Sequence, residues 1–446
     1  MITAQKHPLE KRILLPEDLK PINSLAEYKA QGGLKGLERA RLMSPKEIVE
    51  EVRRSGLRGR GGAGFPTAVK WETVIQDECP TKYVVCNGAE GEPGTYKDRY
   101  LIGKNPYVVF EGMLIAARAV GAKQAIIGTK KKFTLQVNRL LKAVEELEEA
   151  GAVEEDFLKI VLGPDDYLFG EEKALLEVVD GRGAMPRIFP PFMLGIKTTP
   201  LENNPTVVNN VESMSHLALI FRHDAAWYRA MGTDDTPGTM ILTLSGDVKR
   251  PGMYEVELGL TLRQLIYDIG GGPKDKPIKA VFSGVSNAVI TPDMFDAKLD
   301  FGSMRKIGAG LGSGGYMVYD ETCGAVELTH MISSFLARAS CGQCIPCNSG
   351  TRYITQELEK LRSGQGTKEN LDNILKETTQ CTNQTRCFLP HQEVKICSSM
   401  VKKFRGEFDG YAQGKVAYKR SLLIPKIESF NEETGEFIFE KMKPEI

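Results

Sequence analysis

Three closely spaced cysteines constrain this chain more than any other feature of its sequence. They are Cys341, Cys344 and Cys347, and Gly342 and Pro346 between them favour tight turns. Thiolates held so close together must share a metal ion or a cluster. A Cys-x-x-Cys-x-x-Cys run with a remote fourth cysteine is the ligation pattern of a cubane 4Fe-4S cluster, whose soft irons need four soft ligands. The run therefore predicts such a cluster; zinc, which usually takes two cysteine pairs, and a purely structural role are the alternatives.

The fourth ligand must come from the cysteines that follow. Cys381, Cys387 and Cys397 are the candidates, and spacing alone does not choose among them. Because thiols stay reduced in the cytoplasm, nine cysteines favour ligands and buried residues over disulfides. We interpret three others as small buried residues: Cys79, Cys86 and Cys323.

The overall composition excludes two classes of protein. Lys+Arg and Asp+Glu both number 58, and this zero net charge argues against a nucleic-acid binder, which needs a basic surplus. The longest apolar stretch, residues 108–120, contains Glu111 and Arg118. It is shorter than the roughly 20 residues that a membrane-spanning helix needs. Since the first residues also lack an apolar signal core, we expect a cytoplasmic protein without a membrane span.

The first half of the chain has an α/β pattern. Ser44 begins a predicted helix with a capping box. Short apolar runs at residues 83–86, 125–127 and 160–162 then alternate with helical patterns. This alternation is typical of an α/β fold with a mostly parallel sheet.

The pattern changes near residue 236. Runs at 240–248 and 251–256 predict a hairpin with a Pro-Gly turn, and a helix over 261–269 completes a β-grasp-like module. From Cys323 to about Gly414 the pattern is mainly helical. We interpret the polar, acidic end of the chain as an arm that lies on a partner. The 446 residues, enough for roughly three domains, are therefore divided into 1–235, 236–322, 323–425 and a polar tail, 426–446.

A glycine-rich loop at residues 59–64 fits Gly-x-Gly-x-x-Gly literally. A lone match is weak, and a helix rather than a strand precedes it, so this is not an ordinary Rossmann turn. The loop can still cradle a phosphate through backbone N–H groups, aided by Arg58, Arg60 and Lys70. The alternative is a surface turn with exposed arginines.

Two polar segments, residues 87–99 and 167–172, each follow an apolar run. Ligands of open α/β sheets lie beyond the carboxyl ends of the strands, so we expect both segments in a site. Asn87 can donate and accept at a ring edge, and Glu90 and Glu92 can hold hydroxyls or shape the pocket. The alternative for any single glutamate is a charge that favours a helix start.

Five motifs taken together resemble one family. They are SGLRGRGGAGFPTAVKW (55–71), EPGTYKDR (92–99), YLFGEEKAL (167–175), TVVNNVE (206–212) and the cysteine run at 341–347. In this order, over about residues 28–408, they resemble the flavoprotein subunit of respiratory complex I. Its relatives occur in NAD-linked hydrogenases, formate dehydrogenases and other soluble electron-transfer complexes.

The resemblance implies a fold and a function. The fold would be a Rossmann-like FMN-binding domain, a ubiquitin-like β-grasp module and a C-terminal helical bundle with a 4Fe-4S cluster. The function would be that of an NADH dehydrogenase subunit, in which a hydride passes between NAD(H) and FMN and single electrons pass to the cluster. Because the chain lacks fused electron-transfer segments, a thioredoxin-like 2Fe-2S subunit and further iron-sulfur subunits are the implied partners.

Matching motif positions imply the residues of each site. The FMN phosphate and ribityl chain would contact Gly59, Arg60, Gly61, Gly62 and Lys70. The flavin ring and its surroundings would contact Asn87, Val208, Asn209 and Asn210, with Tyr167, Gly170 and Glu171 on the other side. The dinucleotide would contact Phe65, Glu92, Glu172 and Phe192. The cluster would be held by Cys341, Cys344, Cys347 and Cys387, because the family's spacing fits Cys387 better than Cys381.

The chain departs from the family at three positions. Ala89 replaces an aspartate near the flavin, Phe189 replaces a lysine at the dinucleotide site, and Thr73 replaces an aromatic residue. These departures motivate a second hypothesis, a flavin and iron-sulfur relay whose dinucleotide site is lost or retuned. A third hypothesis is a non-catalytic assembly subunit.

Overall fold

A four-stranded parallel sheet organises the first part of the chain. The computed structural model describes residues 6–418 and 420–441. All strand pairs of this sheet are parallel, in the order β3-β2-β1-β4. The strands are β1 (Tyr83–Gly88), β2 (Gln124–Lys130), β3 (Leu158–Gly163) and β4 (Thr206–Asn210). The three predicted apolar runs thus form β1, β2 and β3.

Helices cover this sheet and precede it. They are α1 (Leu25–Ala30), α2 (Lys35–Arg41), α3 (Pro45–Ser55), α4 (Thr67–Ile75), α5 (Lys97–Lys104), α6 (Pro106–Val120), α7 (Thr134–Glu149), α8 (Glu172–Val179), α9 (Val211–Arg222) and α10 (Ala225–Arg229). Helix α3 begins at the predicted capping box of Ser44 and Glu47. The apolar stretch at 108–120 lies in α6, which is buried on nearly all sides and packs closely against α9.

A second, mixed sheet follows in the order β6-β5-β8-β7. Its strands are β5 (Thr239–Gly246), β6 (Gly252–Glu257), β7 (Ile278–Ser283) and β8 (Gly315–Asp320). The predicted hairpin is confirmed as the antiparallel pair β5-β6. The helix predicted over 261–269 forms a π-helical segment, Gln264–Ile269, rather than an α-helix. A short helix, α11 (Phe301–Lys306), precedes β8.

The next part of the chain is helical, as its pattern predicts. The helices are α12 (Ala325–Ala339), α13 (Ile345–Arg362), α14 (Lys368–Glu377), α15 (Leu389–Lys403) and α16 (Arg405–Tyr411). Their apolar faces form one core that also takes in Leu168 from the first part and Phe282 from β7. This shared core fixes the helices against both sheets.

The described end of the chain is a hairpin of β9 (Ile427–Asn431) and β10 (Glu436–Phe439). Ile427, Phe430 and Phe437 pack against the first core, and the Arg99 guanidinium donates to the Ile427 carbonyl oxygen over 2.7 Å. This hairpin within the predicted polar tail therefore folds back on its own chain, and the arm on a partner stays a prediction. Residues 442–446 lie outside the described residues.

Within the part of the chain that the structure describes, no helix is both long and apolar enough to cross a bilayer. Helix α6, which holds the longest apolar stretch, has 15 residues. A membrane-spanning helix needs roughly 20.

Candidate functional site

A cavity of about 660 Å³ lies where the two sheets and the helical part meet. The first sheet contributes the loops after β1 and β3, the second sheet contributes the loop before β8, and α15 closes one side. The volume is within the usual range for small-molecule and cofactor sites. The predicted residues that line it are Gly61, Gly62, Asn87, Glu90, Glu92, Tyr167, Gly170, Glu171, Asn210 and Cys387.

The glycine loop forms one wall of the cavity. Gly62 has φ +122° and pairs with Gly312 of the second sheet's loop. Gly64 has φ +64°, and a Cβ there would lie 2.4 Å from the Phe301 ring. A Cβ at Gly62, in contrast, would meet no atom closer than 3.9 Å, so the backbone is open to a ligand. This is the close backbone approach that a phosphate cradle needs.

The Arg60 side chain turns away from this cradle. Its guanidinium is fully buried and donates to carbonyl oxygens of Thr239 (3.1 Å) and Pro237 (2.7 Å) and to the Tyr228 hydroxyl (3.1 Å). A buried guanidinium needs such partners, and α10, the loop that follows it and the start of β5 supply them. The geometry therefore does not support a phosphate contact by the Arg60 side chain. Arg60 ties the glycine loop to β5 instead.

Lys70 also lies outside the cavity lining. Its ammonium contacts Glu172 over 2.8 Å and donates to the Val208 carbonyl oxygen over 3.0 Å. Asn209 accepts a hydrogen bond from the Trp71 indole over 3.0 Å. These contacts join α4 to β4 behind the cavity. Gly59, Lys70, Glu172, Val208 and Asn209 therefore support the wall rather than line it.

The loop after β1 forms the polar floor. The amide of Asn87, near the end of β1, donates to the Gly170 carbonyl oxygen over 2.8 Å and so joins β1 to the loop after β3. Glu90 contacts the buried Arg99 guanidinium over 2.8 Å. Glu171 accepts from the first N–H groups of α8, and burial raises the pKa of its carboxyl to about 7.

Glu92 connects the first sheet to the second. Its carboxylate accepts from the Val285 N–H (2.7 Å), the Ser286 hydroxyl (3.1 Å) and the Tyr167 hydroxyl (2.6 Å). Burial raises the pKa of this carboxyl above its ordinary value. Since Gln392 of α15 donates to both Tyr167 and Ser286, all three parts of the chain meet at this network.

A buried charge network under the cavity was missed by sequence reasoning. Lys97 contacts Asp98 over 2.6 Å and Glu212 over 2.9 Å, and the Asn210 amide donates to Asp98 over 2.6 Å. Asp98 lines the cavity, and burial raises its pKa to about 6. The signal was present, because Lys97 and Asp98 belong to one of the five motifs.

Two predicted aromatic residues lie at the surface, outside the cavity lining. Phe65 is 51% exposed and Phe192 is 40% exposed. Glu92 is thus the one residue of the predicted dinucleotide set that lines the described cavity. Lining residues that had no sequence signal come from the second sheet and α15: Phe301, Arg305, Gly310, Ser313, Gln392 and Lys395.

The predicted cluster ligands gather at two helix starts. Cys341 follows α12, Cys344 and Cys347 lie at the first turn of α13, and Cys387 precedes α15. Burial raises the pKa of Cys387 to about 12, with further contributions from the charges of Glu171, Cys347 and Cys341, so Cys387 lies within electrostatic range of both the cavity residue Glu171 and the cysteine run. Cys387 also lines the cavity, which places one predicted ligand between the two sites.

The donor set fits a cubane cluster. The Gln343 amide lies 3.4 Å from the Cys341 sulfur, and the Ser340 hydroxyl lies 3.5 Å from the Cys347 sulfur, which are contacts suited to thiolates. Among the described residues, no three of these sulfurs are close enough together to bind one ion. A cubane's ligands bind separate irons and need not be so close. Cys397 is directed to Glu393 instead, over 3.3 Å.

Family models match three parts of this chain. The Nuo51 FMN-binding domain matches residues 52–219. The SLBB domain matches residues 241–282. The NADH-ubiquinone oxidoreductase-F iron-sulfur binding region matches residues 327–411. The glycine loop, most of strands β5 to β7 and the cysteine run thus fall in three separately matched regions.

Curated relatives match over most of their length. The NADH-quinone oxidoreductase F 2 subunit of Rhizobium meliloti is 36% identical, over 86% of this chain and 93% of the relative. The corresponding F subunit of Streptomyces coelicolor is 35% identical, over 88% of this chain and 89% of the relative. The HndC subunit of the NADP-reducing hydrogenase of Solidesulfovibrio fructosivorans is 33% identical, over 88% of this chain and 81% of the relative.

Solved structures of NAD+-reducing [NiFe]-hydrogenase are similar as well. The H2-reduced state matches with a TM-score of 0.77 and 33% identity, over 88% of this chain and 66% of that chain. The air-oxidized state matches with a TM-score of 0.74 and 35% identity, over 82% of this chain and 63% of that chain. This chain spans less than two thirds of those hydrogenase chains. Together with the family models and the curated relatives, these matches show that the chain belongs to the family of NADH-quinone oxidoreductase F subunits, with an FMN-binding domain, an SLBB domain and a C-terminal 4Fe-4S region.

Proposed function

We propose that this chain exchanges a hydride between NAD(H) and FMN in the 660 Å³ cavity and relays single electrons through Cys387 to a 4Fe-4S cluster. FMN accepts electrons in pairs and releases them singly, which matches a cluster that accepts one at a time. The observation that carries the proposal is the position of Cys387. It lines the cavity and lies within electrostatic range of Cys341 and Cys347.

The chain's own residues would position the flavin. Backbone N–H groups of the glycine loop at Gly61 and Gly62 would hold the phosphate, with Gly59 shaping the turn. Asn87, Asn210 and Gly170 would present polar groups to the ring, and Tyr167, Glu90, Glu92 and Glu171 would shape the pocket. The remaining contacts rest on the family motifs alone: Phe65, Lys70, Glu172, Phe192, Val208 and Asn209.

Each of the three parts of the chain would have the role that the family resemblance implies. Residues 1–235 would form the Rossmann-like domain that binds FMN and the dinucleotide. Residues 236–322 would be a β-grasp module that completes the cavity wall, and residues 323–425 a helical bundle that carries the cluster. The hairpin at 427–439 would support the first domain through Arg99.

Exposed apolar side chains beside the cysteine run support docking of an acceptor subunit. Ile345, directly after Cys344, is 76% exposed. The Gln343 side chain donates to the Pro186 carbonyl oxygen (3.1 Å), so the loop that carries the half-exposed Phe189 also lies beside the cysteine run. A thioredoxin-like 2Fe-2S subunit or another iron-sulfur subunit in the cytoplasm would receive the electrons there.

Anaerobic titration of the purified, fully flavinated chain with NADH tests the proposal. We expect the flavin absorbance to bleach and the reduced-cluster EPR signal to appear as NADH is added. Unchanged absorbance from a fully flavinated sample would contradict hydride transfer. Iron, sulfide and FMN stoichiometry of the same sample controls for incomplete loading.

The second candidate is a relay with a lost or retuned dinucleotide site. Ala89 and Phe189, which replace family residues, favour it, and Phe192 lies at the surface rather than in the cavity. Under this hypothesis the wild-type chain oxidises NADH poorly or not at all, and Phe189→Lys creates or strengthens this activity. No gain from this substitution would count against the second candidate.

A further inference from the structure

Glu393 is a buried carboxyl group in the helical part that the proposed function does not use. It lies on α15, and its side chain has no solvent exposure. One oxygen accepts hydrogen bonds from the Ser333 hydroxyl (2.5 Å) and the Cys397 thiol (3.3 Å). The other oxygen, Oε2, is buried and has no hydrogen-bond partner among the described residues. A carboxylate with one bare oxygen is costly to bury, whereas a protonated carboxyl is much less so.

The surroundings of Glu393 leave its protonation open to change near neutral pH. Burial raises the pKa of the carboxyl to about 7, and the two hydrogen bonds oppose this rise. The titratable groups that face it are Cys397 on its own helix, Cys347 on α13 and Cys381 after α14. From α12 the Ser333 hydroxyl donates to it. All of these groups are neutral or negative, so none offsets a charge on Glu393.

Glu393 lies within electrostatic range of the predicted cluster. Its charge raises the pKa of the Cys347 thiol, although the two share no hydrogen bond. Coulomb interactions are strong in such a low-dielectric interior. A negative charge added at the cluster therefore raises the pKa of Glu393. In turn, a proton taken up by Glu393 raises the reduction potential of the cluster.

Two hydroxyl groups connect Glu393 to the surface. The Ser333 hydroxyl lies 2.7 Å from the Thr355 hydroxyl of α13. Ser333 is fully buried, whereas Thr355 is partly exposed. The Thr355 hydroxyl donates to the Thr351 carbonyl oxygen over 2.8 Å, and rotation about its C–O bond would direct this donor to Ser333. Hydroxyls both donate and accept, so a proton that enters at Thr355 can then be relayed through Ser333 to the carboxylate.

We propose that Glu393 takes up one proton from solvent, through Thr355 and Ser333, when the cluster accepts one electron. The electron comes from the reduced flavin, as the family's activity supplies. The Ser333 O–H bond breaks as the carboxylate O–H bond forms, and Thr355 and then water restore the Ser333 proton. On reoxidation the cluster passes its electron to the partner, and the proton returns by the same path.

EPR-monitored potentiometric titration of the cluster-loaded chain, at a series of pH values, tests this proposal. We expect the wild-type midpoint potential to fall as pH rises above about 7, approaching about 59 mV for each pH unit, the value for one proton per electron. Glu393→Gln should give a potential that does not change with pH and equals the wild-type limit at low pH. An unchanged pH dependence in Glu393→Gln would overturn the proposal.

A matched control is available in the same set of helices. Glu327 of α12 is also a buried carboxyl: one oxygen accepts from the Tyr411 hydroxyl, and the other has no hydrogen-bond partner in the part of the chain that the structure describes. It lies near the other end of α12 from Cys341, about 20 Å away along the helix. Glu327→Gln should keep the wild-type pH dependence, and its loss there would count against a specific role for Glu393.

A measurement on the unmodified chain covers the case in which Glu393→Gln fails to fold. Infrared difference spectra between the oxidised and reduced cluster should show a carboxyl C=O band that appears on reduction and shifts in D2O. Absence of this band from a sample whose EPR spectrum shows a reduced cluster would overturn proton uptake by a carboxyl. Failure of NADH to reduce the flavin leaves this test intact, because a chemical reductant can load the cluster.

Discussion

Glu171 joins the cavity to a helix start with one carboxyl group. It lines the cavity and caps α8, and burial raises its pKa to about 7. Below this pH the carboxyl is mostly neutral, and above it a negative charge faces the ligand. Since FMN is an anion, its affinity should fall as pH rises through 7, by roughly threefold to tenfold.

Glu171→Gln should remove this part of the pH dependence and bind FMN more tightly than the wild type at pH 8. Gln still offers a carbonyl oxygen to the N–H groups of α8, so the cap is retained. Fluorescence titration of the flavin-free chain at pH 6 and pH 8 measures the difference. Equal pH dependence in both proteins would show that Glu171 does not face the flavin.

Gly64 is the position where the glycine loop tolerates a side chain least. Its φ is +64°, and a Cβ would lie 2.4 Å from the Phe301 ring. Gly64→Ala should displace the loop, lower the flavin content and cost roughly 1–3 kcal/mol of stability. Flavin content after purification and thermal unfolding measure the two effects.

The matched control for this substitution is Gly181→Ala. Gly181 also has a positive φ, +79°, but a Cβ there would have no atom within 4 Å. The Gly181→Ala variant should therefore lose only the stability that backbone strain costs, about 1–2 kcal/mol, and should keep its flavin. Equal flavin loss in both variants would mean that strain alone, rather than contact with Phe301, disturbs the site.

Sequence reasoning found residue types better than side-chain directions. Asn87, Glu92 and Cys387 were predicted as site residues and line the cavity. Arg60 was predicted beside the phosphate, but its side chain is directed to carbonyl oxygens near residue 238, far along the chain. The order of residues in a motif does not reveal which distant backbone groups will accept from a given guanidinium.

The C-terminal hairpin is an element whose role depends on one buried side chain. Ile427 is 2% exposed and packs against the first core, whereas Ile438 of the same hairpin is 50% exposed. Ile427→Ala should lower the free energy of unfolding by roughly 2–5 kcal/mol. Ile438→Ala should stay within about 0.5 kcal/mol of the wild type.

Denaturant unfolding of the two variants measures this difference. Flavin retention provides a second readout, because Arg99 contacts both Ile427 and the cavity residue Glu90. We expect Ile427→Ala to lose flavin at a lower denaturant concentration than Ile438→Ala. Equal effects of the two substitutions would contradict the packing of this hairpin on the first domain.

Elements with a strong local signal were predicted well, and those that depend on tertiary packing were not. The capping box fixed the start of α3, and the alternating apolar runs fixed β1 to β3. The π-helical segment at 264–269 has the apolar pattern of an ordinary helix, so its hydrogen-bond pattern was not visible in the sequence. The C-terminal hairpin was hidden because its apolar side chains are few and widely spaced.

At the scale of the whole molecule, the site exists only where three parts of the chain meet. Glu92 comes from the loop after β1, Ser286 from the loop after β7, and Gln392 from α15, and hydrogen bonds join them around Tyr167. The cysteine run and the glycine loop, about 280 residues apart in the sequence, are thereby brought to one cavity and its border. Sequence reasoning predicted both sites but not that Cys387 borders both.

The measurement that tests this account most directly is cluster and flavin content in a set of cysteine-to-serine variants. Anaerobic samples of Cys387→Ser, Cys381→Ser and Cys397→Ser are compared by iron, sulfide and FMN analysis and by EPR of the reduced state. We predict that Cys387→Ser loses the 4Fe-4S signal and keeps FMN, while the other two keep both. A four-iron cluster that persists in Cys387→Ser and disappears in Cys381→Ser or Cys397→Ser would contradict the path from cavity to cluster.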